Sequence, residues 1–526
     1  MSSKYGDILN VTDAIFSKRS NELGRPAIYY KDEIWTYRRL IDEINRVGNA
    51  LKKFLEREQR LLMISYDSPY FISVFYGAMK IGAFPIPVNT FTIPDDHIFY
   101  LEDSKAKVLV VEPEIWDRLA SKLNGRTEEL KYVMILPGGH REQLHISPHP
   151  AKVMLYEDIV PHESTDLNPA KTSPDEPAFG LYTSGSTGHP KCAVHLHKDI
   201  IVVLNTYVKN VLKINENDKL FSASKLFFAY GLGNSSYFAF GNGASVVLMP
   251  ERVEPKRVLH YIQTYKPTIF FAVPTIYNSL LNVEEWKKYD LSSIRLCVSA
   301  GEPLPGKIYE EWKKRYVVEI LDGIGSTEAL HIYISNFPGE SRPNCTGKVV
   351  PGYEVKIVDE NGNQVKAGEI GDLYVKGDSV AMYYLHKYED TRKNMQGYWF
   401  RSGDKFYFDD NGYLYYIGRS DDMIKAGGMW ISPIEVESVI LTHEAVLEAA
   451  VVGIKDEVGL TKVVAFVVPK QGYEANEKLE EGIKEYLKGK LPSYKIPKQI
   501  RFVNELPKTA TGKIQRYKFR TGEVKS

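Results

Sequence analysis

The chain has 526 residues, 43% hydrophobic and 25% charged, with 67 basic and 67 acidic side chains and a formal net charge of zero. That balance belongs to an ordinary globular protein of two to four domains and argues against a nucleic-acid partner, which needs a basic face. Cys192, Cys297 and Cys345 are too few and too far apart for a disulfide framework or a zinc site.

The N-terminal segment MSSKYGDILNVTDAIF lacks a continuous apolar core of signal-peptide length, and no window approaches the ~18 apolar residues of a membrane span. The expectation is a cytoplasmic protein with no membrane partner. In chain order, RLLMISY (60–66) reads as a strand and PYFISVFYGAMKIGA (69–83) as a helix opened by proline. FPIPVN, a helix PDDHIFYLEDS (94–104) and a strand AKVLVVE (106–112) follow. This alternation predicts a parallel-rich sheet covered by helices.

PAFGLYTS (177–184) reads as a strand and CAVHLHKDIIVVLNTYVKNVL (192–212) as a helix. Between them lies a loop, YTSGSTGHPK, rich in glycine and hydroxyls and closed by Lys191. Such a loop converges backbone N–H groups on an anion; a flexible turn is the competing reading. It is not a Walker A loop, because Pro190 precedes the lysine and Cys192 follows it. PTIFFAVP, SIRLCVSA and VEILDGIGSTE are further strands, with helices TIYNSLLN and GKIYEEWKKRY between them. From about Thr346 short alternating strands with Asn-Gly turns predict a small antiparallel unit. RSDDMIK, from Arg419, marks a second boundary, followed by a helix from Pro433, strands LEAAVVGI and VVAFVVP, and a helix from Glu477.

Four segments carry candidate chemistry. Thr327 and Glu328 in GIGSTE set a hydroxyl beside a carboxylate, a donor set for Mg²⁺, against the alternative of a capped helix start. WFRSGD places Asp404 in a loop, where it suits a ribose diol or is a solvated turn residue. GRSDD supplies Arg419 and Asp421, or a surface charge cluster. LPKTATGK ends on Lys513, in a flexible loop or a mobile tail.

Taken together, YTSGSTGHPK, LFFAYG, GIGSTE, GDLYVKG, WFRSGD, GRSDDMIK and PKTATGK resemble, in order, the signature segments of the adenylate-forming superfamily of acyl- and aryl-CoA ligases, luciferases and peptide-synthetase adenylation domains. Within it, SASKLFFAYGLGN and DGIGSTEALHIYISN look most like benzoate-CoA ligases. The resemblance implies an α/β fold: a large N-terminal AMP-binding domain (1–418) of parallel-rich sheets with a small β-barrel-like subdomain at about 346–418. A hinge (419–422) and a small mobile C-terminal α+β domain (423–526) follow.

The implied activity is two-step. A carboxylic acid and Mg·ATP give an acyl-adenylate and pyrophosphate, and CoA then displaces AMP. On that pattern Thr183, Ser184, Gly185, Ser186, Thr187, Gly188 and Lys191 hold the outgoing phosphates, Glu328 ligates Mg²⁺ and Thr327 meets the α-phosphate. Gly301, Glu302, Pro303, Asp322, Gly323 and Ile324 line the adenine, while Asp404 and Arg419 hold the ribose. Asp421 is the hinge, Gly427 and Gly428 face the pantetheine arm of CoA, and Lys513 is the catalytic lysine. Ala229, Tyr230, Gly231, His331 and Ile332 line the acid pocket, with His331 meeting the carboxylate.

Two residues depart from the pattern: Cys192 stands where the family has glycine, and Ile324 where many members have tyrosine. Benzoate or a hydroxybenzoate is the expected acid. A short acid such as 4-hydroxybutyrate is the alternative, and a non-catalytic nucleotide-binding relative is the alternative of another class. No aspartate in LFFAYG awaits an amino-acid substrate. A monomer or homodimer is expected.

Overall fold

The computed structural model describes residues 4–19, 23–123, 126–138, 149–183, 190–426, 429–455, 460–508, 514–521 and 523. Two parallel-rich sheets organise the larger part. The first holds five strands in the order Phe84–Pro87, Arg60–Ile64, Val108–Val111, Tyr132–Ile135, Lys152–Leu155, all parallel. The second has nine strands. Its central run Ser245–Leu248, Lys219–Ser222, Ile269–Ala272, Leu296–Ser299, Ile320–Gly325 is parallel. Val108–Val111, Ile269–Ala272 and Leu296–Ser299 are buried at every position, the uniform apolar pattern of strands covered on both faces.

The helices begin where local chemistry starts them. Pro69–Lys80 opens with proline in its first turn, and the Ser68 side chain accepts from the Phe71 N–H at 3.2 Å. Pro94–Ser104 and Gly306–Tyr316 match the bounds read from sequence.

One reading is corrected. The segment after Lys191 is not helical from Cys192. Lys191–Leu196 is a strand, antiparallel to Pro177–Thr183, and the helix begins only at His197. The reason is burial and pairing: residues 192–196 are buried, their side chains alternate between two packed faces, and their backbone pairs with Pro177–Thr183. The glycine-rich run therefore lies between hairpin strands and not at a helix start. Tyr383–Tyr384 adds a third strand on the far side of Lys191–Leu196.

Five further strands, Glu354–Val358, Gly371–Lys376, Met395–Gln396, Trp399–Phe408 and Leu414–Arg419, form an antiparallel sheet. After Arg419 come the hairpin Ile424–Ala426/Met429–Ile431 and the helix Pro433–Ile440. A sheet of Val446–Lys455, Thr461–Pro469 and Gln499–Phe502 and the helix Glu477–Leu487 complete this part. Among the described residues no helix is long and apolar enough to cross a membrane.

Candidate active site

The residues expected at the adenine converge at the carboxyl ends of two adjacent parallel strands. Gly301, Glu302 and Pro303 follow Leu296–Ser299; Asp322, Gly323 and Ile324 lie in Ile320–Gly325, with Ser299 opposite Asp322. Open α/β sheets bind ligands at this end of their strands. Gly301 takes φ +93°, a left-handed conformation that favours glycine. Burial holds the Asp322 carboxyl well above the usual carboxylate range.

Beyond this strand the chain makes a tight turn, 326–331. The Ser326 hydroxyl accepts from the Ala329 N–H at 3.1 Å, and the Leu330 N–H donates to the Thr327 carbonyl at 3.1 Å. Leu330 sits at φ +69°, an uncommon conformation for a leucine that surrounding contacts must hold. They do so from three sides. Ala381 N–H donates to the Glu328 carbonyl at 2.7 Å and Ser379 Oγ to the Ala329 carbonyl at 2.8 Å. Tyr384 donates its hydroxyl to Glu328 Oε1 at 2.6 Å, and His195 Nε2 donates to the Thr327 carbonyl at 2.8 Å.

Lys191, at the start of the hairpin's return strand, pairs with Asp390 at 2.5 Å and lies 5.6 Å from the centre of the Tyr384 ring. Tyr384, Asp390, His195 and its partner Asp199 were not singled out from sequence. Tyr384 is 56 positions from Glu328 and His195 is 132 from Thr327, so no local pattern links them. The only short-range signal was the H-L-H-K-D run that puts His195 four residues before Asp199.

Cys192 is fully buried in that return strand. A Cβ built on Gly180 of the neighbouring strand would lie 2.6 Å from its sulfur, so the missing side chain at 180 is what makes room for the cysteine. Burial raises the thiol pKa well above its ordinary value, leaving an unreactive thiol.

Asp404 is not in a loop. It lies inside the strand Trp399–Phe408, directly opposite Arg419 at the end of Leu414–Arg419. The alternating burial of W-F-R-S-G-D-K-F-Y-F explains the strand. Arg419 Nη1 donates to Asp404 Oδ1 at 3.1 Å, and the charges of Asp404 and, more weakly, Glu328 raise the guanidinium pKa further. Gly403, at φ +76°, clears the way: a Cβ there would meet Arg419 Nη2 at 2.9 Å.

The expected acid-pocket residues come from two segments that meet. Ala229, Tyr230 and Gly231 form the short helix Ala229–Leu232, while His331 and Ile332 enter the strand Ile332–Ser335. His331 Nε2 lies 3.4 Å from the Tyr230 carbonyl, and its ring packs 5.5 Å from Tyr230, 5.5 Å from Tyr207 and 4.5 Å from Phe238. The Tyr230 hydroxyl donates to the Val298 carbonyl at 3.1 Å.

Burial lowers His331 from 6.5 to about 3, so its ring is neutral at physiological pH. His197, whose Nδ1 accepts from the Val11 N–H at 3.2 Å, is lowered to about 4 for the same reason. Both histidines charge in the unfolded chain before they charge in the folded one. Stability is therefore present above pH 6.5 and falls as pH drops toward the folded values. Each should cost about 2 kcal/mol between pH 6.5 and 4.5. Denaturant unfolding of His331→Leu across that range should show a shallower acid loss than the wild type. Parallel curves would show that His331 does not titrate this way.

Ser184, Gly185, Ser186, Thr187, Gly188, Gly427, Gly428 and Lys513 lie outside the described residues. Thr183 and Lys191, which flank the loop, are paired across the hairpin. The Asp421 carbonyl accepts from Arg520 Nη1 at 3.3 Å, and Asp422 pairs with Arg520 at 3.0 Å.

Residues 17–385 match the AMP-binding enzyme family, and residues 435–513 match the AMP-binding enzyme C-terminal domain. The chain belongs to the AMP-binding enzyme family. Among curated AMP-binding relatives, the benzoate–CoA ligase of Thauera aromatica is 43% identical, covering 95% of this chain and 93% of that protein. The 4-hydroxybenzoate–CoA/benzoate–CoA ligase of Rhodopseudomonas palustris is 35% identical over 92% of this chain and 88% of its own length. The crystal structure of the anthranilate CoA ligase AuaEII with anthranoyl-AMP superposes with a TM-score of 0.93 at 38% identity, covering 99% of this chain and 98% of that one. A benzoate CoA ligase from Burkholderia xenovorans LB400 follows at 0.88 and 38%, covering 98% of this chain and all of the other.

Proposed function

We propose that this chain is an AMP-forming carboxylate–CoA ligase acting on a small aromatic acid of the benzoate type. The observation that carries the acid class is the aromatic, neutral wall of Tyr230, His331, Tyr207 and Phe238, in which His331 is the last residue of the turn that carries Thr327 and Glu328. A flat apolar acid suits such a wall, and the relatives described above act by name on benzoate, hydroxybenzoate and anthranilate. They do not favour the short hydroxy acid or the non-catalytic alternative.

In the first step the acid's carboxylate oxygen attacks the α-phosphorus of ATP and pyrophosphate leaves. In the second, the CoA sulfur attacks the acyl carbon and AMP leaves with the bonding electrons. Lys191 and the 183–188 loop hold the departing phosphates, and Thr327 the α-phosphate. Glu328 fits Mg²⁺: it is an oxygen donor beside a hydroxyl. Among the described residues no group of three acidic, histidine or cysteine side chains competes for a metal, and Mg²⁺ typically takes one or two carboxylates and completes its shell with phosphate and water. The chemistry Mg²⁺ supplies when bound is neutralisation of phosphate charge. Asp404 accepts from the ribose hydroxyls while Arg419 fixes its carboxylate. The neutral His331 serves as a hydrogen-bonding partner of the acid rather than as a cation. The 419–422 segment, centred on Asp421, is the hinge on which residues 423–526 turn between the two steps.

The test is a panel of acids with Mg·ATP and CoA. Benzoate, hydroxybenzoates and anthranilate should exceed 4-hydroxybutyrate and other short acids in kcat/KM by about 10-fold or more, since one methylene in an apolar pocket already changes discrimination by ~1–3 kcal/mol. If no acid supports pyrophosphate release, the ligase reading fails; a preference for the short acids would overturn only the acid class.

A further inference from the structure

His195 and Asp199 are completely buried, yet they lie outside every segment that the proposed chemistry uses. His195 Nδ1 is 2.8 Å from Asp199 Oδ2, and His195 Nε2 is 2.8 Å from the Thr327 carbonyl oxygen. A carbonyl only accepts, so Nε2 carries a hydrogen. The Nδ1–Oδ2 contact needs another, shared between a ring nitrogen and a carboxylate oxygen. The same Oδ2 accepts from the Leu196 N–H at 3.1 Å, and the imidazole stacks on Phe179 with ring centres 5.2 Å apart and planes 21° apart. The ring's tautomer, tilt and position are thereby fixed.

The strand that presents His195 gives this arrangement its consequence. Lys191, Ala193 and His195 alternate onto one face of Lys191–Leu196. Lys191 reaches the ring of Tyr384, Ala193 stands opposite Tyr384 in the neighbouring strand, and Tyr384 binds Glu328. His195 completes the row by holding the residue before Glu328. The strand that begins at the phosphate lysine is thus tied to both the carboxylate and the backbone of the 326–331 turn. That turn holds Leu330 in a left-handed conformation, and its Thr327 carbonyl is shared between Leu330 N–H and His195.

We propose that His195 and Asp199 form a buried positioning pair that sets the Thr327 hydroxyl and the Glu328 carboxylate against the reacting phosphates during adenylation. The proposal rests on the ligase reading above. His195 touches no substrate; it acts through the Thr327 carbonyl. Misplacing a reacting group by about 1 Å costs on the order of 10²-fold in rate, so losing this donor acts on the first half-reaction. It acts less on the second, attack of CoA on a finished acyl-adenylate, where no pyrophosphate or its Mg²⁺ remains for Glu328 to hold and only the Thr327 contact to the phosphate persists.

The experiment compares His195→Leu, His195→Gln, Asp199→Ala and Asp199→Asn with the wild type. Pyrophosphate release is measured with benzoate and Mg·ATP, and thioester formation with synthetic benzoyl-adenylate and CoA. His195→Leu should lower kcat for pyrophosphate release about 10- to 100-fold and leave thioester formation within about 3-fold. His195→Gln, whose amide can still donate to the carbonyl, should recover most of the loss. Asp199→Ala frees the imidazole to change tautomer and should slow adenylation selectively; Asp199→Asn, whose amide can donate to Nδ1 at the cost of the Leu196 N–H contact, should restore it in part. Should His195→Leu not fold, the alanine–asparagine pair at 199 decides. Equal adenylation rates for that pair, or equal loss in both half-reactions with an unchanged Tm, would overturn the proposal. A wild type that makes thioester from acyl-adenylate but releases no pyrophosphate with benzoate points to the wrong acid, and the comparison is then run with the best acid of the panel. A wild type inactive in both half-reactions with every acid overturns the ligase reading and the positioning role with it.

Discussion

Replacing Lys513 with alanine is expected to slow pyrophosphate release about 10²–10³-fold, while thioester formation from a supplied acyl-adenylate stays within a few-fold. As the carboxylate attacks, negative charge builds on the α-phosphoryl oxygens and on the bridging oxygen of the departing pyrophosphate. A cation aimed at those oxygens is bound more tightly by the transition state than by ATP, and only such differential binding accelerates the step. Lys513 follows the 419–422 segment in sequence, so on the proposed hinge its charge would arrive with the C-terminal unit and leave with it. When the CoA sulfur attacks a finished acyl-adenylate, charge passes from the acyl oxygen to the phosphate of departing AMP and there is no pyrophosphate to expel; on the proposed hinge motion the lysine would be withdrawn by then, which leaves room for the pantetheine arm. Arg516 lies three residues on. Its guanidinium donates to both carboxylate oxygens of Glu437, at 2.7 and 3.0 Å, and lies 3.9 Å from Asp422 in the linking segment. The measurement pairs the two half-reactions on one enzyme preparation. Equal loss in both would remove Lys513 from a role specific to adenylation.

What was legible in the sequence follows from the range of the forces involved. Helices such as Pro94–Ser104 and Gly306–Tyr316 are set by proline at or just before their start and by periodicity within a dozen residues, and their bounds could be read directly. Lys191–Leu196 could not. C-A-V-H-L is compatible with either helix or strand, and the antiparallel partners Pro177–Thr183 and Tyr383–Tyr384, one of them nearly two hundred residues away, decide it. Asp404 was placed in a loop on its Ser-Gly neighbours, whereas its position opposite Arg419 is a matter of strand register. The same limit hid the side chains that hold the site. Glu328 was visible through its motif, but Tyr384 and His195 reach the 326–331 turn only across the third strand of the hairpin sheet and the return strand itself. Gly180 became meaningful only with the sulfur of Cys192 against it.

The proposed acid pocket offers the second large effect, at a glycine within SASKLFFAYGLGN that is not among the residues expected to line the pocket. Gly233 opens the segment Gly233–Tyr237, which winds wider than an α-helix, with i→i+5 hydrogen bonding. A Cβ on Gly233 would lie 2.6 Å from His331 Cδ2, 2.8 Å from His331 Nε2 and 2.9 Å from the Tyr237 hydroxyl. No real Cβ tolerates such distances, so His331 or the helix must move. His331 has little room to do so, because Tyr207, Tyr230 and Phe238 pack around its ring. Overpacking of this kind typically costs about 1–3 kcal/mol. Here that cost falls on the wall proposed to meet the aromatic acid. Gly233→Ala should therefore lower kcat/KM for benzoate about 10- to 100-fold, mostly through KM for the acid, with KM for ATP nearly unchanged. The residues proposed to hold ATP stand on other elements, at the ends of Leu296–Ser299 and Ile320–Gly325 and in the strand carrying Asp404. Pairing Gly233→Ala with His331→Ala should return part of the lost stability, since the smaller side chain removes the His331 atoms that the new methyl strikes. Full activity in Gly233→Ala would mean that the acid does not lie against His331. An equal rise in KM for ATP would mean that the strain spreads past the acid pocket into the sheet behind it.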